Sequence, residues 1–169
     1  WLLPISIFVN IATVNAVNLT DGLDGLAAGT CTPFLCALGV LILLQKGDEG
    51  LALLSFCLVG ALLAYLAFNV SPASVFMGDT GSLALGGFIA AISSFSGNAL
   101  FIPVIGVCFV LSVISVIVQV IYYKVTRGKR IFLMSPIHHH FQMKGYSESR
   151  ISYLYFSVAL LSGPVCVLT

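Results

Sequence analysis

Long apolar runs alternate with short polar clusters along this chain. Six runs can be drawn, at about 1–17, 26–45, 51–69, 82–97, 101–123 and 150–169. About 20 apolar residues in a helix are needed to cross a bilayer, and only helices and closed barrels satisfy their own backbone in lipid. Alternating strands of about ten residues, the sign of a barrel, are absent. The pattern predicts an all-α fold, a polytopic transmembrane helical bundle of about six helices, with residues 1–169 forming a single transmembrane domain. The fourth run is short and can borrow from Ser96-Gly97-Asn98. Ser71-Pro72 should end the third helix after Asn69. Pro103 suits a helix N-terminus, and Pro164 predicts a kink in the last helix.

Six crossings place residues 18–25, 70–81 and 124–149 on one side and the turns 46–50 and 98–100 on the other. Lys124, Arg127, Lys129, Arg130, Lys144 and Arg150 fall on the first side, and Lys46 alone on the second. Cytoplasmic loops are enriched in Lys and Arg, so the first side is predicted to be cytoplasmic.

Composition agrees. The chain is 59% hydrophobic and 8% charged, against roughly 25% charged in a soluble domain. A net charge of +1 without a basic stripe gives no sign of nucleic-acid binding. Cys31, Cys36, Cys57, Cys108 and Cys166 lie in apolar runs without a CxxC pair and read as small buried hydrophobes. The chain opens on Trp1 and stops at Thr169 inside an apolar run. It therefore reads as a fragment that lacks an N-terminal part.

Three polar clusters share the predicted cytoplasmic side. In the first, Asn15-Ala-Val-Asn18-Leu-Thr-Asp21-Gly22-Leu23-Asp24-Gly25, helical spacing would put Asn15, Asn18 and Asp21 on one stripe. Oxygen ligands of that kind suit a hard cation, Mg²⁺ above all when a substrate supplies phosphate oxygens. A plainer alternative is a polar loop that caps the next helix. Gly22 and Gly25 permit close backbone approach to a ligand. In the second cluster, Asp79 follows Gly78 at the start of an apolar helix. It could cap that helix, or hold a metal beside a phosphate bound there. Phe76, near Asn69, could stack on a base, although the ring alone reads more readily as an interfacial anchor. In the third cluster, Pro136 precedes His138, His139 and His140. In an extended stretch His138 and His140 would share a side. Imidazoles offer hydrogen bonds, charge or acid–base function, and the spacing gives zinc little support.

The stretches NAVNLTDGLDGLA, FNVSPASVFMGDTGSLALGG and SPIHHHFQMKGY closely resemble the polyprenyl-phosphate N-acetylhexosamine-1-phosphate transferase superfamily, also called the glycosyltransferase 4 family. The third points to its phospho-N-acetylmuramoyl-pentapeptide transferase branch. The resemblance implies transfer of phospho-MurNAc-pentapeptide from UDP-MurNAc-pentapeptide to undecaprenyl phosphate. Lipid I and UMP would form, with Mg²⁺ as cofactor, at the bacterial inner membrane during peptidoglycan synthesis. The family has about ten membrane helices, of which this chain would supply roughly the last six.

By the same resemblance Asp79 matches the magnesium-binding aspartate, with Asp21 and Asn18 beside the metal and Asn15 among the catalytic neighbours. Asp24, Gly22, Leu23, Asn69 and Phe76 match the substrate pocket, with Phe76 stacked on uracil. His138, His139 and His140 match a catalytic motif near the diphosphate and uridine. Two departures stand out. An aspartate pair from an earlier cytoplasmic loop is absent, so the chain alone should not be competent. Gln142 stands where family members often carry Glu. The expected partners are the nucleotide donor, the lipid phosphate and the bilayer, with a homodimer left open and no nucleic acid. Three rivals remain: a sister transferase using UDP-N-acetylglucosamine, a transporter, and a non-catalytic membrane fragment. A transporter would place ionisable residues near mid-membrane, where these runs carry almost none.

Overall fold

The structure, a computed structural model, describes residues 2–168. These form helices α1 (Leu2–Thr20), α2 (Leu26–Leu44), α3 (Glu49–Asn69), α4 (Gly78–Phe95), α5 (Ile102–Ile105), α6 (Val107–Val125), α7 (Ile137–Met143) and α8 (Glu148–Leu168). A 3-10 turn at Ala99–Phe101 precedes α5, and no strand occurs among the described residues. Helices α1, α2, α3, α6 and α8 are long and apolar enough to cross a membrane. Helix α4 has 18 residues, but its Gly-Asp-Thr-Gly-Ser opening lowers its mean hydropathy. The fold is the expected polytopic helical bundle.

Helix α2 is the axis of the bundle, with Phe34, Leu35, Leu38 and Ile42 fully enclosed. Between helices in lipid there is little hydrophobic driving force, so close contact depends on small residues. Such residues mark the contacts here. A Cβ on Gly39 would meet the Phe56 ring of α3 at 2.9 Å, and one on Gly163 of α8 would meet Ala37 Cβ at 2.8 Å. Gly86 brings α4 against α1 so closely that a Cβ would lie 2.8 Å from Val14 Cα. Large apolar side chains such as Leu3, Phe8, Leu63, Phe68 and Leu161 face outward, which suits a lipid surround. A second apolar cluster of Leu23, Leu26, Cys108, Ile151, Tyr155 and Ala159 carries Ile137 and Phe141 against it. This cluster seats α7.

Helix ends follow local chemistry. The Asp48 side chain accepts from Gly50 N–H at 2.7 Å and caps α3, and α3 ends at Asn69 before Ser71-Pro72 as predicted. Gly25 enters α2 with φ 71°, a left-handed turn that glycine adopts at little cost.

Three details differ from the sequence reading. The fifth apolar run breaks at Gly106 into α5 and α6, where a Cβ would strike Ile102 O and Phe109 Cδ2, each at 2.8 Å. Cys57 is exposed and Cys36 half-buried, while Cys31 and Cys108 are buried as expected. The histidine triplet is helical, not extended, because α7 starts directly after Pro136.

A candidate active site where three loops meet

The three motif segments converge at one end of the bundle. Asn18, in the last turn of α1, donates through Nδ2 to Asp79 Oδ1 at 3.1 Å and to Ser82 Oγ at 2.9 Å. Ser82 is buried in the first turns of α4 and donates to Gly78 O at 3.1 Å. This hydroxyl fixes the direction of the Asn18 amide, whose oxygen is left to face away from Asp79. Asp21 lies just beyond α1 and is half-buried. Burial and, secondarily, the Asp79 charge raise its pKa to about 6, with no opposite charge offsetting them. Two carboxylates thus gather with no described cation to neutralise them.

Among the described residues no group of three or more His, Cys, Asp and Glu is placed to hold a metal. The carboxylates of Asp79 and Asp21 suit instead a hard ion that draws its other ligands from water and substrate phosphate, whereas Asn18, expected beside the metal, turns its nitrogen to Asp79 and so positions that carboxylate. Asn15 does not join them. It is exposed, and its Nδ2 donates to Ile11 O of its own helix at 2.8 Å.

The second group of residues ties loops together. Asp24 Oδ2 accepts from Ala73 N–H at 2.9 Å, and Asp24 O accepts from the Ser152 hydroxyl at 2.7 Å. Asn69 is buried; its Oδ1 accepts from Gly25 N–H at 3.1 Å and its Nδ2 donates to Val75 O at 2.8 Å. A buried amide must be satisfied, and here the backbone satisfies both ends. Asn69 therefore clamps the first motif loop to the second, where the sequence reading had it meeting a ligand directly. The Leu23 side chain is likewise turned inward, into the cluster that seats α7. Phe76 is 71% exposed, so its ring is open to a planar partner.

The three histidines have three different surroundings. His138 is 0% exposed, and neither ring nitrogen has a hydrogen-bond partner among the described residues. Burial, helped by His139, lowers its pKa to about 3, so the ring is neutral. Its ring lies 4.4 Å from that of His139 and 6.2 Å from that of Tyr155. The Gly22 backbone closes it off: a Cβ there would fall inside 3.0 Å of both His138 Nε2 and His139 Nε2. His139 is half-buried, with Nδ1 3.0 Å from Gln142 Oε1, and Gln142 Nε2 donates to Glu148 Oε1 at 3.0 Å. His140 turns away, accepting through Nδ1 from Leu133 N–H at 3.1 Å. His138 and His139 therefore form the pair beside the first loop, not His138 and His140. The helix rotates successive residues by about 100°, which removes the alternation of an extended chain.

Several organising residues escaped the sequence reading. Buried Gln119 of α6 accepts through Oε1 from Ile131 N–H at 3.1 Å and Phe132 N–H at 2.9 Å, and donates to Phe132 O at 3.1 Å. Ser115 Oγ accepts from Ile137 N–H at 3.0 Å. A lone Gln in an apolar run is costly beside lipid, and that signal was available. Nothing in the spacing of Ser82 or Glu148 singled them out.

The model of glycosyl transferase family 4 matches residues 1–97. A phospho-N-acetylmuramoyl-pentapeptide-transferase of Caldanaerobacter subterraneus subsp. tengcongensis is 46% identical over 162 residues, covering 96% of this chain and 51% of that protein. The protein of that name from Listeria welshimeri is 46% identical over 168 residues, 99% of this chain and 52% of its own length. That of Halalkalibacterium halodurans is 50% identical over 161 residues, 95% and 49%. The chain spans about half the length of these curated relatives. With the family model matching more than half of its residues, the chain belongs to glycosyl transferase family 4.

Proposed function

We propose that this chain supplies a large part of the catalytic centre of a phospho-N-acetylmuramoyl-pentapeptide transferase. The reaction moves phospho-MurNAc-pentapeptide from UDP-MurNAc-pentapeptide to undecaprenyl phosphate, giving lipid I and UMP for peptidoglycan synthesis. The observation that carries this reading is the uncompensated pair of Asp21 and Asp79, with Asn18 hydrogen-bonded to Asp79, at the polar end of a lipid-facing bundle. The names of the relatives support it.

Phosphoryl transfer depends on positioning and charge neutralisation more than on covalent machinery. Mg²⁺, held by Asp79 and Asp21 with Asn18 positioning Asp79, would neutralise the donor diphosphate and the leaving phosphate of UMP. The other residues hold that constellation together. Ser82 orients Asn18, Asn69 and Asp24 lock the two motif loops to each other, and exposed Phe76 offers its face to uracil. The lipid phosphate is an ionised nucleophile at neutral pH, so no general base is assigned. Because its tail stays in the bilayer, attack belongs at the membrane edge, where these loops lie. The Lys/Arg asymmetry supports a cytoplasmic location for that edge.

The decisive experiment is a transfer assay on the full-length protein with UDP-MurNAc-pentapeptide and, separately, UDP-N-acetylglucosamine, each with and without Mg²⁺. Transfer from the first donor alone, and only with the metal, is expected. Preference for the second would make the protein a sister transferase.

A further inference from the structure

His139 stands between the first motif loop and a short polar chain. Its Nε2 faces Gly22, where a Cβ would lie 2.9 Å away. Its Nδ1 is 3.0 Å from Gln142 Oε1. Gln142 Nε2 in turn donates to Glu148 Oε1 at 3.0 Å. The polarity of this chain is set from its far end. A carboxylate only accepts hydrogen bonds, so Gln142 must present its NH₂ to Glu148. That leaves its carbonyl oxygen toward His139, and a carbonyl oxygen also only accepts. The proton between them must therefore sit on His139 Nδ1. Glu148 lies in the first turn of α8, where a negative charge complements the helix dipole.

We infer that Glu148, acting through the Gln142 amide, fixes a proton on His139 Nδ1, so that in the neutral ring Nε2 is the bare nitrogen and meets the Gly22 loop as a hydrogen-bond acceptor. The hydrogen bond made by one ring nitrogen decides the state of the other. Free imidazole side chains prefer the proton on Nε2, so this chain inverts the usual preference.

The consequence is chemical. A neutral ring with a bare Nε2 takes a hydroxyl or an N–H of the bound substrate, and it cannot donate to a phosphate oxygen. His138 is enclosed, and His140 Nδ1 is committed to Leu133 N–H. Recognition of the anion falls to the Asp21–Asp79 side of the site and its cation, while His139 reads a donor group of the substrate. Gln142 and Glu148 are positioning residues. The substrate part of this inference rests on the transferase reading; the tautomer does not.

The test uses the full-length protein, ¹⁵N-labelled at histidine, in nanodiscs at about two pH units above the ordinary imidazole pKa of about 6.5. The His139 ring signals are assigned by their loss in His139→Gln. A pyrrole-type Nδ1 and a pyridine-type Nε2 are expected. Glu148→Gln keeps the shape of the chain but lets its amides run in either direction. His139 should then become a mixture of tautomers, and transfer should slow by about tenfold, the lower end for losing an outer partner of a functional histidine. The double substitution Gln142→Glu with Glu148→Gln puts a carboxylate directly on Nδ1. It should restore both the nitrogen pattern and the turnover to within about threefold.

An Nε2–H tautomer in the unsubstituted protein, or an unchanged pattern in Glu148→Gln, overturns the inference. A shifted tautomer with unchanged turnover overturns its role in the reaction. The expected tautomer in a protein that transfers from no UDP-sugar refutes the transferase reading alone.

Discussion

Gly22→Ala is the sharpest perturbation this site allows, because it adds one methyl group where two imidazoles already press on the backbone. The new Cβ would lie 2.9 Å from His139 Nε2, 3.3 Å from His138 Cδ2 and nearer still to His138 Nε2. Ordinary contact begins at 3.4 Å, so His139 alone must retreat by about 0.5 Å, and His138 by more. His138 has nowhere to go, being fully enclosed with the His139 and Tyr155 rings against it. The loop therefore yields, and it carries Asp21 with it. Overpacking of this kind costs about 1–3 kcal/mol. At 1.4 kcal/mol per decade, about a 5- to 140-fold loss of kcat/KM is expected.

The assay is lipid-phosphate-dependent release of UMP by the full-length variant, beside His138→Ala and the double substitution. Residues in contact couple, so Gly22→Ala should add little in the His138→Ala background, where the space is open. A Gly22→Ala protein with kcat/KM within twofold of normal would refute the close approach. Full additivity with His138→Ala would refute the partner.

Further predictions concern the carboxylates, the open ring and pH. Asp79→Asn should lower turnover by orders of magnitude while leaving helicity unchanged, since it removes one of the two carboxylates proposed to hold Mg²⁺; a magnesium titration checks this. Phe76→Ala should weaken binding of the donor or UMP by about 5- to 150-fold, from roughly 1–3 kcal/mol of base stacking. Calorimetry checks it, and unchanged affinity would leave the ring an interfacial anchor. His138 has a folded pKa of about 3, below its ordinary 6.5, so between those values the unfolded chain binds a proton that the folded one refuses. Stability from this group is intact above pH 6.5 and falls as pH drops, by about 1.4 kcal/mol per unit. The difference in thermal midpoint between the parent and His138→Gln, followed from pH 7 to about pH 5, reads it. The subtraction is needed because Asp21, with its pKa raised to about 6, acts in the opposite sense, stabilising the fold as pH falls below that value.

Sequence alone determined the class of fold, since apolar length and lipid leave a chain almost no alternative to helices. It located the helices to within a few residues and put the three polar clusters on one side. It also singled out Asn15, Asn18 and Asp21 as a polar stripe, because carboxylates and amides at a membrane edge are costly, but left Asp79 between helix cap and metal ligand, and only the resemblance gave Asp79 its metal role. The role of each residue within those clusters was not legible, because spacing fixes a residue's neighbours along the chain and not those across it. Asn15 and Asn18 share a helix face, yet Ser82 and Asp79, reached only by folding α4 onto α1, select Asn18. Asn69 and Phe76 looked alike as candidates for a base pocket. Packing turned the amide into a buried clamp and left the ring outside. Three adjacent histidines had equal standing in the sequence. Once α7 docked on Leu23, Ile151 and Tyr155, helical rotation sent one into the core, one to Gly22 and one back to its own loop. Gln142 and Glu148, six residues apart, acquire meaning only because the turn between α7 and α8 brings them within a hydrogen bond. Tertiary structure decided these roles because each depends on which buried polar atom finds a partner, and those partners come from elements distant in the chain.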